Sequence, residues 1–120
     1  MSDLPVSAGF LLRRARARQR AREERARELR TQVRSAAERL VNELGAERVV
    51  LFGSVARGAL HDRSDVDVAV AGLSPAQETA AWDLLASTVG APVDLVVLES
   101  APESLRRRIE SDGEVLVSRT

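Results

Sequence analysis

The sequence predicts an α/β fold: a small mixed β-sheet flanked by helices, preceded by one long N-terminal helix. Three observations carry that expectation. Between about Phe10 and Leu44 there is neither proline nor glycine, and alanine, arginine, glutamate and leucine, all strong helix formers, dominate. After Gly45 the grammar changes to short valine-rich apolar runs. Helix-start signals then separate the later runs, the pattern of a sheet covered by helices.

The first nine residues, MSDLPVSAG, contain proline and glycine and are expected to fray. The helix that follows is roughly 50 Å long at 1.5 Å per residue, with room for one break. Gly45 is its expected stop, placed where a left-handed C-cap would sit. Leu29, Val33, Ala36, Ala37, Leu40, Val41 and Leu44 recur at spacings of three and four, forming a stripe that packs on a domain. From Arg13 to Glu28 the apolar residues are alanines set among arginines, with Phe10, Leu11 and Leu12 as an apolar hook at the tip. This divides the chain into a basic helical extension, residues 1–28, and one domain, residues 29–120.

Arg48–Phe52 is the first strand, the segment from Val66 to Val70 the second, and Val93–Leu98 the third. A loop with room for one helical turn joins the first two. Ser74 is the expected N-cap of the next helix, with Pro75 at its first position and Glu78 in its first turn; Ala80, Ala81, Leu84 and Leu85 are expected to point inward. Ser100-Ala101-Pro102-Glu103 opens another helix, with Leu105 and Ile109 on one face and a stop near Gly113. Val115-Leu116-Val117 forms a short closing strand or simply packs down.

At 120 residues the chain is long enough for one small domain. No run approaches the roughly 18 apolar residues of a membrane span, and the N-terminus lacks the apolar region of a secretory signal. There is no cysteine and one histidine, so thiolate sites and multi-imidazole zinc sites are excluded. Any metal must be a hard cation held by carboxylates. These features together suit the cytoplasm.

The net charge is zero, but it combines two unlike halves. Residues 10–48 carry twelve arginines against six glutamates, and residues 49–120 six arginines against eleven acids. The basic helix has three readings: a solvated extension, a surface for another protein or a second copy of the chain, or a nucleic-acid contact. Glu23, Glu24 and Glu28, and the lack of aromatics there beyond Phe10, argue against the last.

The chemistry concentrates in LFGSVARGALHDRSDVD, residues 51–67. Strand residues alternate faces, so Asp65 and Asp67 point to the same side. Two carboxylates held close repel and raise a pKa unless a cation neutralises them, and magnesium, with its preference for oxygen ligands and phosphate, suits that task. Asp94 sits in the otherwise apolar VDLVVL, where a charge is costly unless it lies at an edge or in a paired site. If its strand lies beside that of Asp67, the three acids cluster. Gly53-Ser54 directly after a strand permits a tight turn and close approach of phosphate; Arg57 could reach the same phosphate, and Gly58 relieves the next turn. The lysine and longer glycine spacing of a Walker loop are absent. Taken singly, each feature also has an ordinary reading: a turn at Gly53-Ser54, a solvated strand entrance at Asp65 and Asp67, an edge charge at Asp94, a surface residue at Arg57. His61 is expected on an exposed loop.

The string GSVARGALHDRSDVDVAV resembles the signature of the minimal nucleotidyltransferase family within the DNA polymerase beta-like superfamily. The shared features are Gly53-Ser54, ten residues, then Asp65-x-Asp67, with Ala56-Arg57-Gly58, Ser64 and a later acid, Asp94. The resemblance covers about residues 38–118 and leaves out the basic helix before Arg30. It implies two-metal transfer of a nucleoside monophosphate, AMP from ATP, to a hydroxyl. Asp65 and Asp67 would ligate Mg2+, Asp94 would complete the metal site or act as base, and Gly53 and Ser54 would hold phosphates. Relatives this small often act as antitoxins beside a helical ribonuclease toxin of the HEPN class, which some silence by adenylylating a tyrosine. Aminoglycoside nucleotidyltransferases are also similar, but need substrate-binding structure that a chain of this length lacks. The alternative is a non-catalytic antitoxin or interaction module that neutralises its partner through the long helix.

Overall fold

Alanine, leucine and arginine carry helix α1 without a break from Val6 to Leu44 in the computed structural model, which describes residues 6–58 and 65–119. The helix therefore begins earlier than the fraying expected of the first nine residues: one glycine, Gly9, costs only about 1 kcal/mol in a helix of strong formers. His61 and Ser64 lie outside the described residues. Gly45 ends α1 at φ +76°, in the left-handed region that a side chain resists, and its N–H donates to the Val41 carbonyl at 3.1 Å.

The remaining elements are β1 (Arg48–Phe52), α2 (Gly53–Ala56), β2 (Val66–Ala71), α3 (Glu78–Thr88), β3 (Val93–Val97), α4 (Glu103–Asp112) and β4 (Glu114–Ser118). The sheet order is β3-β2-β1-β4. β1 runs antiparallel to both β2 and β4, and β2 and β3 are parallel, so the sheet is mixed as expected. Val115–Val117 therefore belong to a true closing strand, paired to β1 across an irregularity at Val49/Val50.

Alternation along the strands assigns the two faces. Val49, Leu51, Val66, Val68 and Val70 pack in one core with Leu29, Val33, Ala36, Ala37 and Leu40 of α1 and Ala81 and Leu85 of α3. Val50 and Ala69 look the other way, joined by Ile109 of α4 and by Leu98, with Phe52, Val96 and Leu105 partly buried around them. Each fully buried leucine contributes about 1.5–3 kcal/mol relative to exposure.

Several local expectations shift. Burial on α1 begins one turn earlier than Leu29, at Ala26, while Val41 and Leu44 are only half-buried. A 3-10 turn, Pro75–Gln77, precedes α3, and Ser74 shares a reciprocal capping box with Gln77. Ala80 is exposed rather than inward, because the α3 stripe is centred on Ala81 and Leu85 and leaves Ala80 on its outer flank. β3 stops at Val97, one residue short, because Leu98–Ser100 turns as a 3-10 helix.

Side-chain ties fasten the C-terminal part of α1 to the body. Arg25 donates to the Gly90 carbonyl, Gln32 accepts from the Gly90 N–H at 2.8 Å, and Arg30 pairs with Glu114. Beyond these, Phe10, Leu11 and Leu12 are 51–62% exposed at the end of the projecting helix. None of the described helices is long and apolar enough to cross a membrane.

Candidate functional site

β1 delivers Gly53 to the end of the sheet with φ +76°. A Cβ there would collide with the Asp67 Oδ2 atom and lie 3.0 Å from its Cγ, so the position requires glycine for backbone conformation and for space. The single turn of α2 follows, closed by the Arg57 N–H donating to the Gly53 carbonyl at 3.2 Å. Val55, fully buried, anchors that turn in the α1-side core and leaves Ser54 and Arg57 toward the outside. Gly58 continues at φ +71° and its N–H donates to the Val55 carbonyl at 3.1 Å.

Asp67 sits between two registered neighbours: Phe52 of β1 on one side and Asp94 of β3 on the other. The condition posed by the sequence is met, since the strand carrying Asp94 does lie beside that of Asp67. Parity places Asp67 on the face of Ala69, and Asp94 on the face of Val96, the side covered by α4. Asp65 lies just before β2, exposed like Asp94, whereas Asp67 is half-buried.

The Asp67 carboxyl is raised above its ordinary value, first by burial, then by the charges of Asp94 and Asp65, while Arg57 pulls it down. The three acids thus share one field at one end of the sheet. Among the described residues, no three acidic or imidazole groups are close enough to form a ready-made metal cage. The fit to a hard divalent cation rests on the donor set, which is all carboxylate, and on the mutual repulsion that a cation would reverse.

A cleft of about 320 Å³ opens here, with Phe52, Gly53, Ser54, Arg57 and Asp67 on one side. Leu105, Arg108 and Asp112 of α4 form the other. Five of the six residues singled out from the sequence therefore fall in or beside one space: Gly53, Ser54, Arg57 and Asp67 line the cleft and Asp94 is registered next to Asp67. Asp65 acts on Asp67 through its charge without lining the cleft. The α4 residues were missed by sequence reasoning. Their spacing, with Leu105 and Arg108 three apart and Arg108 and Asp112 four apart, puts them on one helical stripe and was the available signal. A larger groove of about 430 Å³, holding Trp82, Leu95 and Val97, contains none of the six residues.

The chain is similar in sequence and in fold to several known proteins. Residues 35–120 match the family model described as polymerase beta, nucleotidyltransferase. Protein adenylyltransferase MntA of Shewanella oneidensis is 38% identical over 71 residues, 57% of this chain and 51% of the relative. The chain thus spans about half the length of that curated relative. A solved structure assigned to a candidate minimal nucleotidyltransferase superposes with a TM-score of 0.64 at 32% identity, covering 74% of this chain and 93% of that one. A toxin-antitoxin structure with AMP-PNP gives 0.63 at 28% identity, covering 72% and 74%.

Proposed function

Because the chain belongs to the polymerase beta nucleotidyltransferase family, we propose that it transfers a nucleoside monophosphate, AMP from ATP, to a hydroxyl on a partner protein. In this reading the partner is a HEPN-type toxin and the chain is its antitoxin. The observation that carries the proposal is the meeting of Asp67 with both Gly53 and Asp94, which sets the turn read as the phosphate side beside the acids. Support for the antitoxin role comes from the similar toxin-antitoxin structure, and for AMP as the group moved from the adenylyltransferase relative.

Each residue then has a role. Asp65 and Asp67 would hold Mg2+, with Asp94 completing the site or taking the proton of the attacking hydroxyl; Gly53, Ser54 and Arg57 would hold the phosphates. The chemistry magnesium supplies when bound is neutralisation of these carboxylates and of the phosphate oxygens. In the transfer, the acceptor oxygen bonds to the α-phosphorus as the bond from that phosphorus to the bridging oxygen of the β-phosphate breaks. Pyrophosphate leaves with the electron pair, and the hydroxyl proton passes to a carboxylate. A need for ATP and magnesium supports a cytoplasmic location.

The test is incubation of the full chain with its toxin partner, magnesium and labelled ATP. Label is expected on the partner; its absence, with ATP binding verified, overturns the proposal. A second reading, in which the chain neutralises the partner by binding alone, is favoured by the exposed Phe10, Leu11 and Leu12 at the end of α1. It divides the chain into an arm, residues 1–28, and a domain, residues 29–120. Removal of residues 1–20 would abolish neutralisation under that reading, and unchanged partner binding would count against it.

A further inference from the structure

We propose that Arg108, on α4, is a second cation of the cleft that binds the polyphosphate tail and so sets a preference for nucleoside triphosphates over monophosphates. This rests on reading Gly53-Ser54 as the phosphate side of the site.

Position comes first. Ile109 is 1% exposed and, with half-buried Leu105, fixes the rotation of α4 over Val50, Ala69 and Phe52. With that rotation fixed, Arg108 falls over the cleft, opposite Gly53, Ser54 and Arg57. The cleft narrows the part of a nucleotide that Arg108 can meet: its neighbours are the turn residues, and Asp94 at the far side of β2 is not among the lining residues.

Charge gives the second argument. Asp65, Asp67 and Asp94 all act on one end of the sheet, and a polyphosphate entering that field is repelled unless cations offset it. Arg57 is one such cation. Two other arginines nearby are engaged elsewhere: Arg107 donates to Glu103 at 2.7 Å, and Arg48 pairs with Glu110 at 3.6 Å; Arg106, also on α4, does not line the cleft. Arg108 has no ion pair among the described residues within 4.0 Å, although Asp112 lines the same cleft one turn along. A guanidinium in this position presents a planar fork of donors that matches phosphate oxygens, which an ammonium does not.

The experiment is calorimetric binding of ATP and AMP, each with magnesium, and of inorganic pyrophosphate to the full-length wild type, R108A, R108K and R107A. R108A is expected to weaken ATP and pyrophosphate by about tenfold, the size of a charge-assisted hydrogen bond at a partly open site, and to leave AMP unchanged. R108K should recover only part of the loss, and R107A should match the wild type. Equal affinity of R108A and wild type for ATP, or an equal loss for ATP and AMP, overturns the role of Arg108 while leaving the nucleotide site standing. If the wild type binds no ATP, the underlying reading of the site falls and this proposal with it. Circular dichroism melts of R108A separate lost binding from lost folding: R108A is expected to melt as the wild type does, and weakened ATP binding accompanied by a lower Tm overturns the binding role.

Discussion

The carboxylate of Asp67 occupies the space that a side chain on Gly53 would need, so the turn after β1 and the acid on β2 are built against each other. Gly53→Ala is therefore expected to harm the site twice. The left-handed backbone costs an alanine about 1 kcal/mol, and the methyl group must push the Asp67 carboxylate aside. Transfer is expected to fall roughly a hundredfold, the scale of an ångström's misplacement of a reacting group. Steady-state transfer assays beside a thermal melt check this; a variant with full activity would show that the packing of Gly53 on Asp67 is incidental.

Asp67→Asn removes one negative charge and keeps the shape. Transfer is expected to drop by about a thousandfold or more, several kcal/mol of transition-state stabilisation. The measurement is release of labelled pyrophosphate from γ-labelled ATP in the presence of the acceptor. Retained activity would remove Asp67 from the chemistry.

The same substitution has the opposite effect on stability in magnesium-free protein. The Asp67 carboxyl is raised above 3.8, so the native state holds its proton to a higher pH than the unfolded chain does. Its contribution to stability is fully present below the unfolded value and is lost as pH rises through the raised native value. At neutral pH the ionised Asp67 is thus a liability, and Asp67→Asn is expected to melt at or above the wild-type temperature. Melts in chelator should show the variant's Tm exceeding that of the wild type by more at about pH 7 than at about pH 4. A variant that loses stability at neutral pH contradicts the sign.

α1 offers an internal comparison. Leu40 is wholly buried in the core that α1 shares with the sheet and α3, and Leu40→Ala is expected to cost about 2–5 kcal/mol. Leu11 lies on the same helix but is 62% exposed, and Leu11→Ala is expected to change stability by less than about 0.5 kcal/mol. Chemical denaturation measures both. If Leu11→Ala unfolds the chain as readily as Leu40→Ala, the projecting part of α1 is held by contacts other than those described.

Much of this was legible in the residues. The valine runs located β1, β2 and β3 because continuous apolar stretches bounded by Gly45 and Gly90-Ala91-Pro92 leave few alternatives, whereas three apolar residues after Gly113 were too short a run to decide between a fourth strand and a packed-down segment. Asp94 announced itself as an acid inside an apolar strand, but its partner did not: only the parallel pairing of β2 and β3 puts it level with Asp67. Arg108 escaped notice for the opposite reason. It stands in the run Arg106-Arg107-Arg108, and neighbouring arginines on a helix point a hundred degrees apart, so composition says nothing about which one faces a cleft. Ala80 misled because periodicity gives the direction of a stripe better than its width.

β3, which carries Asp94, is an edge strand and, among the described residues, is bonded to the sheet only through β2. Asp67 is on β2, gripped from both sides. The two acids therefore do not share one resistance to opening: peeling of β3 separates Asp94 from the others while β1, β2 and β4 stay joined. Mild heat or denaturant should silence the chain before it unfolds, and hydrogen exchange at β3 should be the earliest sign.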